Sequence, residues 1–132
     1  MWLPNPLLKK IQELKHCGVD FPRVPGTHIG RGFADLGVEQ FLLISDKGMV
    51  SLFNGAKSEL PTEHEKFFFW IPSVDEIIQK ILAAGWTVLS LEHKDSRSWN
   101  LSLRSNEGMS LELSHRDFYE LWIDAFLAVK KK

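Results

Sequence analysis

Hydrophobic residues recur at helical spacing in three segments of the chain, and we predict helices over about 6–17, 74–84 and 115–129. The second helix has the clearest start, because Ser73 and Glu76 stand three residues apart in the pattern of a capping box. The first two helices carry one apolar stripe each, which is typical of helices that pack against a single surface.

Strand patterns occupy much of the remaining chain. Residues 41–53 predict a hairpin, and the uninterrupted apolar run 67–71 predicts a strand covered on both faces. Strict alternation of apolar and polar residues then predicts three strands over about 86–93, 99–104 and 109–114. One face of these strands is predicted to carry the apolar residues Leu89, Leu91, Trp99, Leu101, Leu103, Met109, Leu111 and Leu113.

This order of elements predicts an α+β fold, with a single domain over residues 1–132 and a mainly antiparallel sheet of five to six strands. We expect the helices to cover one face of the sheet, because the alternate residues of the last three strands are polar and suit solvent. Within the domain, 1–37 comprise the N-terminal helix and a Gly/Pro-rich loop, and 38–132 form the sheet-and-helix core.

The Gly/Pro-rich stretch over 20–37 shows no periodicity, and a structureless segment of this length is usually functional or mobile. It carries Arg23, His28 and Arg31, and cationic groups in a glycine-rich loop are a setting that can receive an anion. Gly30 opens a partial nucleotide-binding pattern, but Asp35 stands where its third glycine belongs. The alternative is a surface loop whose cations are simply solvated.

A second candidate site lies at one end of the predicted sheet. Matching the apolar faces of the strands places His93 opposite Trp99, and Trp99 opposite Leu113, with His115 two residues farther along. Two imidazoles near carboxylates such as Asp95 are suited to acid–base chemistry near neutral pH. The alternative is that these histidines are ordinary residues at the rim of an apolar face.

The last predicted helix is apolar over more than half of its circumference. Between 118 and 129 only Glu120 and Asp124 are charged, so one packing surface does not account for the apolar arc. One interpretation is a homodimer contact, and the alternative is cover by the N-terminal helix of the same chain. The predicted interface residues are Tyr119, Trp122, Ile123, Phe126 and Leu127.

Composition narrows the classes of function. The chain has 16 Lys and Arg against 17 Asp and Glu, and this balance lacks the basic surplus of a nucleic-acid-binding protein. Cys17 is the only cysteine, which favours a reducing compartment over a disulfide framework. We therefore expect a cytoplasmic protein without a membrane partner, since its sequence contains neither a signal peptide nor an apolar run of spanning length.

No motif assigns the chain to a family, and no residues have metal-ligand spacing or the pattern of a nucleophilic triad. We therefore expect a small non-enzymatic binding, adaptor or regulatory domain that works as a homodimer or with a protein partner, without cofactor or metal. The alternative is a small enzyme or anionic-ligand-binding protein that uses the His93/His115 end of the sheet or the 20–37 loop.

Overall fold

The computed structural model describes residues 5–32, 37–94 and 97–132. Within these ranges the chain forms three α-helices, eight strands and a 3₁₀ segment at Thr62–Phe67. The helices are α1 (Asn5–His16), α2 (Val74–Ala83) and α3 (Phe118–Lys130). The strands are β1 (His28–Gly32), β2 (Val38–Leu43), β3 (Gly48–Ser51), β4 (Lys57–Glu59), β5 (Phe68–Trp70), β6 (Trp86–Lys94), β7 (Ser98–Ser105) and β8 (Ser110–His115).

The predicted α+β class is confirmed, and every strand pair in the described ranges is antiparallel. The strands form two sheets where one was predicted, in the orders β4-β3-β2-β1-β5 and β6-β7-β8. The chain divides into two compact units, one ending at Pro72 and the other spanning Ser73–Lys132. The predicted internal division at 37/38 falls inside the first unit, between strands that pair with each other.

The prediction that 20–37 lacks regular structure is wrong for β1, which lies in the interior of the five-stranded sheet between β2 and β5. Packing explains why its sequence gives no strand signal. A Cβ atom on Gly30 would lie 3.0 Å from the Phe69 ring and from Cδ1 of Ile71. Glycine at this position lets neighbouring side chains lie against the strand backbone, and it also removes the alternation that sequence reasoning depends on.

Three other strands of the first unit follow their sequence patterns, whereas β4 was not predicted. β2 and β3 form the predicted hairpin, with Leu43 opposite Met49. All three residues of β5 are buried, which confirms that this apolar run is covered on both faces. The run is shorter than predicted, because Phe67 belongs to the 3₁₀ segment and is exposed.

Helix α2 begins with the predicted capping box. The Ser73 hydroxyl accepts the Glu76 N–H at 3.1 Å, and the Glu76 carboxylate accepts the Ser73 N–H at 2.9 Å. The helix ends before Gly85, which has a φ of +90° in the left-handed region that favours glycine. Ile77 and Ile81 are fully buried, so the helix packs through the predicted stripe.

Helix α3 starts later than predicted, because β8 continues to His115. Asp117 is the residue before the helix, and its carboxylate accepts the Glu120 N–H at 2.7 Å. None of the helices within the described ranges combines the length and the apolar character that a membrane crossing requires.

In the three-stranded sheet, α2 packs on β6, and α3 packs on β7 and β8. The central strand contributes Leu101 and Leu103 to the buried face. A β-bulge between Val88 and Ser90 shifts the register of β6, and Leu89 is exposed. Met109 precedes β8 and is also exposed, as is Leu91 at 37%, so these three predicted core positions are wrong.

Candidate functional site

The structure pairs the cations proposed for anion binding with groups of their own chain. The Arg31 guanidinium donates to the Glu39 carboxylate at 2.7 Å, and Nε2 of His28 lies 2.8 Å from Oε1 of Gln40. Arg31 and His28 lie three residues apart on β1, so their side chains point to opposite faces of the sheet. They therefore do not converge on one ligand.

Arg23 lies in a cavity of about 340 Å³ that Lys15, Lys66, Asp20 and Glu65 also line. Its guanidinium pairs with both carboxylates, at 3.5 Å from Asp20, and its carbon Cζ lies 4.0 Å above the centre of the Phe21 ring. Since both carboxylates of the cavity are bound to this arginine, an added anion would have to compete with them. The geometry therefore does not favour an anion site here, and Asp35 of the partial nucleotide-binding pattern lies outside the described residues.

The histidines of the second candidate site share one row across the three-stranded sheet. His93 lies opposite Trp99, as predicted, and Trp99 lies opposite His115. The predicted pairing of Trp99 with Leu113 is wrong by two residues. Trp99 thus stands between the two imidazoles, which are separated by two strand spacings of about 4.8 Å each.

A tight turn between β7 and β8 accounts for this register. Gly108 has a φ of +89°, and the Ser105 N–H donates to the Met109 carbonyl at 2.8 Å. The Ser105 hydroxyl also accepts the Met109 N–H at 3.0 Å. The turn therefore closes over only three residues, a compact hairpin geometry that requires a residue in the left-handed region.

An aromatic chain runs inward from this row. The rings of His93 and Trp99 lie 4.6 Å apart at 31°, and the Trp99 and Phe118 rings meet at 4.8 Å and 63°. The Phe118 and Trp122 rings follow at 6.3 Å. His93 is exposed at the outer end and Trp122 is buried at the inner end, so these contacts pack the end of the sheet against α3.

Both ring nitrogens of His115 are occupied. Nδ1 accepts the Asp117 N–H at 2.9 Å, and Nε2 lies 3.4 Å from the Glu120 carboxylate. This arrangement holds the residue between β8 and the start of α3, and it leaves neither nitrogen open to a substrate. Asp95, the carboxylate proposed beside the histidines, lies outside the described residues.

The described residues contain no group of three His, Cys, Asp or Glu side chains placed to hold a metal ion. Comparisons with family models, with curated proteins and with solved structures found no match.

The five predicted interface residues of α3 do not form an exposed apolar face. Trp122 is 1% exposed and Ile123 is fully buried, while Tyr119 is half-buried. Phe126 and Leu127 are buried as well. The five side chains are thus largely buried, which gives no support to a dimer contact at these positions.

The most exposed large hydrophobic side chain of the described ranges instead lies in the turn after β3, at residues 52–55. Phe53 is 91% exposed and Leu52 is 46% exposed. The predicted hairpin strand was expected to continue to 53, but β3 ends at Ser51. The turn signal Asn54-Gly55 was visible in the sequence, whereas nothing there indicated that the preceding phenylalanine would face solvent.

Proposed function

We propose that this chain is a small non-enzymatic binding domain, with an adaptor or regulatory role, that docks a protein partner through Leu52 and Phe53. The supporting observation is the display of Phe53, the most exposed of the large hydrophobic side chains in the described ranges. A single exposed leucine is common on protein surfaces, whereas a cluster of exposed apolar side chains indicates a binding surface. Here two consecutive apolar residues occupy one turn.

Hydrogen bonds before and after Phe53 in the sequence stabilise the turn. The Phe53 N–H donates to the Ser51 hydroxyl at 3.1 Å, and the Ala56 N–H donates to the Asn54 side chain at 2.9 Å. Two main-chain bonds close the turn, from Gly55 N–H to the Ser51 carbonyl and from Ser51 N–H to the Ala56 carbonyl, both at 2.9 Å. A turn whose main chain is already ordered loses little main-chain conformational entropy on binding.

The expected partner surface is an apolar pocket. Burying one phenylalanine side chain contributes about 1.5–3 kcal/mol, and buried aromatic anchors dominate many protein interfaces. A second copy of this chain is the first partner to consider, because two-fold dimers are the commonest assemblies. We therefore retain the proposal of a homodimer but place its contact at the turn instead of at α3.

The non-enzymatic part of the proposal is supported by His115, whose two nitrogens are engaged with Asp117 and Glu120. Trp99 separates it from His93, so the two imidazoles do not act on one proton. A cytoplasmic location is part of the same proposal and depends on the lone, unpaired Cys17.

The proposal is tested with a photo-reactive phenylalanine analogue at position 53 of the purified chain. The matched control places the analogue at Ser58, an exposed residue of the neighbouring strand β4. We expect cross-linked dimers from position 53 and few from position 58. Analytical ultracentrifugation should show that Phe53→Ser raises the dimer dissociation constant at least about tenfold. The melting temperature of the monomer, measured well below the dimer dissociation constant, should be unchanged because Phe53 is 91% exposed within the chain.

A wild-type chain that stays monomeric and gives no cross-link at position 53 overturns the homodimer. The same analogue is then placed at position 53 in cells to cross-link a different partner protein. A captured protein is accepted as the partner only after it has been purified and its binding to the chain measured. Its affinity for the wild-type chain must fall about tenfold on Phe53→Ser, and equal affinities contradict the docking role of the turn.

A further inference from the structure

Strand β8 forms one edge of the three-stranded sheet, with β7 on its inner side. Its register with β7 fixes the direction of its main-chain groups. The Ser105 N–H donates to the Met109 carbonyl, and in an antiparallel pair such hydrogen-bonded positions recur at every second residue. The main-chain groups of alternate residues of β8 therefore face β7, and those of the remaining residues, Ser110, Glu112 and Ser114, point outward from the sheet.

The other three edges of the two sheets carry features that obstruct the addition of a strand. β4 is only three residues long and begins with Lys57. On β5, the Lys15 ammonium group donates to the Phe68 carbonyl. β6 contains a β-bulge between Val88 and Ser90. Short length, lysine side chains and bulges are the usual protections of an exposed sheet edge.

β8 lacks these protections over its whole length, Ser110–His115. It contains no lysine, proline or glycine, and its pairing with β7 shows no register shift. Among the described elements it packs mainly on β7 and α3, and the side chains of its three outward-facing residues are exposed. The outer edge of β8 is therefore suited to main-chain hydrogen bonding with a further strand.

The side chains of β8 define the chemistry of that further strand. On the face that carries Leu101 and Leu103, β8 contributes Leu111 and Leu113, which are only half-buried. An added strand with alternate apolar residues would bury them further. On the opposite face Glu112 lies between two serines, and opposite charges that face each other stabilise an antiparallel pair. A lysine or arginine opposite Glu112 therefore fits this edge.

A second copy of β8 fits the edge less well. If two β8 strands pair through all of their outward-facing residues, Glu112 lies opposite Glu112 of the second copy, and directly opposed like charges are destabilising. Registers that separate the two carboxylates engage fewer outward-facing residues and so form fewer main-chain hydrogen bonds. A strand of different sequence, with a basic residue at its centre, has neither disadvantage.

We propose that the β8 edge binds an extended segment of a partner protein, which adds to the sheet as an antiparallel fourth strand. The segment has a lysine or arginine opposite Glu112, flanked by apolar residues opposite Leu111 and Leu113. Main-chain hydrogen bonds to the outward-facing residues stabilise the pairing, and the Glu112 carboxylate selects the basic residue. The antiparallel direction matches every strand pair in the described ranges.

The test is an NMR titration of the purified chain with the acetylated and amidated peptide Thr-Val-Lys-Val-Thr. Binding should shift the amide resonances of Ser110, Glu112 and Ser114 in a saturable manner. Replacing the central lysine of the peptide by glutamate should weaken binding about threefold or more. N-methylation of the lysine should weaken it about tenfold or more, because that N–H faces β8. N-methylation of either valine, whose N–H faces away, is the matched control and should change the affinity less than about threefold.

A charge exchange on the chain itself provides a second test. Glu112→Lys should reverse the preference, so that the glutamate peptide binds about threefold or more tightly than the lysine peptide. The matched control is Glu107→Lys, which makes the same charge change in the nearby turn and should leave the lysine peptide preferred. Both glutamates are exposed, so neither variant disturbs the core.

Absence of saturable shifts with the lysine peptide overturns the proposal, as does equal binding of the peptide that is N-methylated at lysine. An unchanged preference in Glu112→Lys, or a reversed one in Glu107→Lys, also overturns it. β8 amide shifts that depend on the concentration of the chain alone indicate pairing with a second copy and contradict the proposal too. Phe53→Ser should bind the peptide normally, because the docking turn belongs to the other unit, so failure of the docking proposal and failure of this one are distinguishable.

Discussion

The ammonium group of Lys15 donates a hydrogen bond to the main-chain carbonyl of Phe68 at 2.7 Å. It also donates to the carbonyl of Lys66, just before β5. β5 is an edge strand of the five-stranded sheet, and exposed edges offer unpaired main-chain groups to other chains. A lysine from α1 thus caps the edge, and burial lowers its pKa from the ordinary value, while the charge of Asp20 acts in the opposite direction.

Replacing Lys15 by methionine should show how much this contact stabilises the folded chain. Lys15→Met keeps the length of the side chain but leaves the Phe68 carbonyl without its donor, so we expect the free energy of unfolding to fall by about 1–2 kcal/mol. Urea denaturation measures the change. The matched control is Lys9→Met on the exposed side of the same helix, and equal stabilities of the two variants would contradict the capping role.

Gly30 should not tolerate a side chain. A Cβ atom there would meet the Phe69 ring and Cδ1 of Ile71 at 3.0 Å, so we expect Gly30→Ala to destabilise the chain by about 1–3 kcal/mol. Gly32 lies on the same strand, where an added Cβ would meet no atom within 4 Å, and its φ is not in the left-handed region. Gly32→Ala is therefore the control, and thermal melting that fails to separate the two variants argues against tight packing at Gly30.

Local rules predicted the parts of the fold that depend on neighbouring residues. Ser73 and Glu76 form their capping box because both partners lie within one helical turn. β1 was missed because the reason for Gly30 lies about forty residues away, at Phe69 and Ile71, where only the folded chain brings them together.

In the candidate sites too, features set by neighbouring residues were predictable, and features set by the folded chain were not. The pairing of His93 with Trp99 was predictable from alternation, whereas the row containing His115 depends on the left-handed Gly108. The exposure of Phe53 depends on where β3 ends, which the hydrophobic pattern does not reveal. Sequence patterns thus identified the aromatic sheet end but not the exposure of Phe53, which is the most exposed phenylalanine of the described ranges.

Tyr119 is the only tyrosine, so its ionisation is directly observable by ultraviolet absorbance. Burial raises the pKa of Tyr119 well above its ordinary value, and the nearby Glu76 carboxylate raises it further. Because the folded chain holds this proton more tightly than the unfolded chain, stability is complete below the unfolded pKa of about 10 and is lost as the pH rises above it. We expect tyrosinate absorbance to appear only with unfolding.

Two variants separate the causes of this pH dependence. Tyr119→Phe should remove its contribution to the alkaline loss of stability. Glu76→Gln removes the charge but retains a residue suited to the capping box, so the phenol should ionise at a lower pH. Tyrosinate formation near pH 10 in a chain with unchanged circular dichroism would show that the phenol of Tyr119 is not shielded as described.

The neutral ring of His115 should carry its proton on Nε2. Nδ1 accepts the Asp117 N–H, so a proton on that nitrogen would oppose the donor, while Nε2 faces the Glu120 carboxylate. Long-range ¹H–¹⁵N spectra near pH 8 distinguish the two tautomers directly. His93, whose exposed ring stacks on Trp99, is the internal comparison. A proton on Nδ1 of His115 would break the contact with Asp117 and return this imidazole to the candidates for acid–base chemistry.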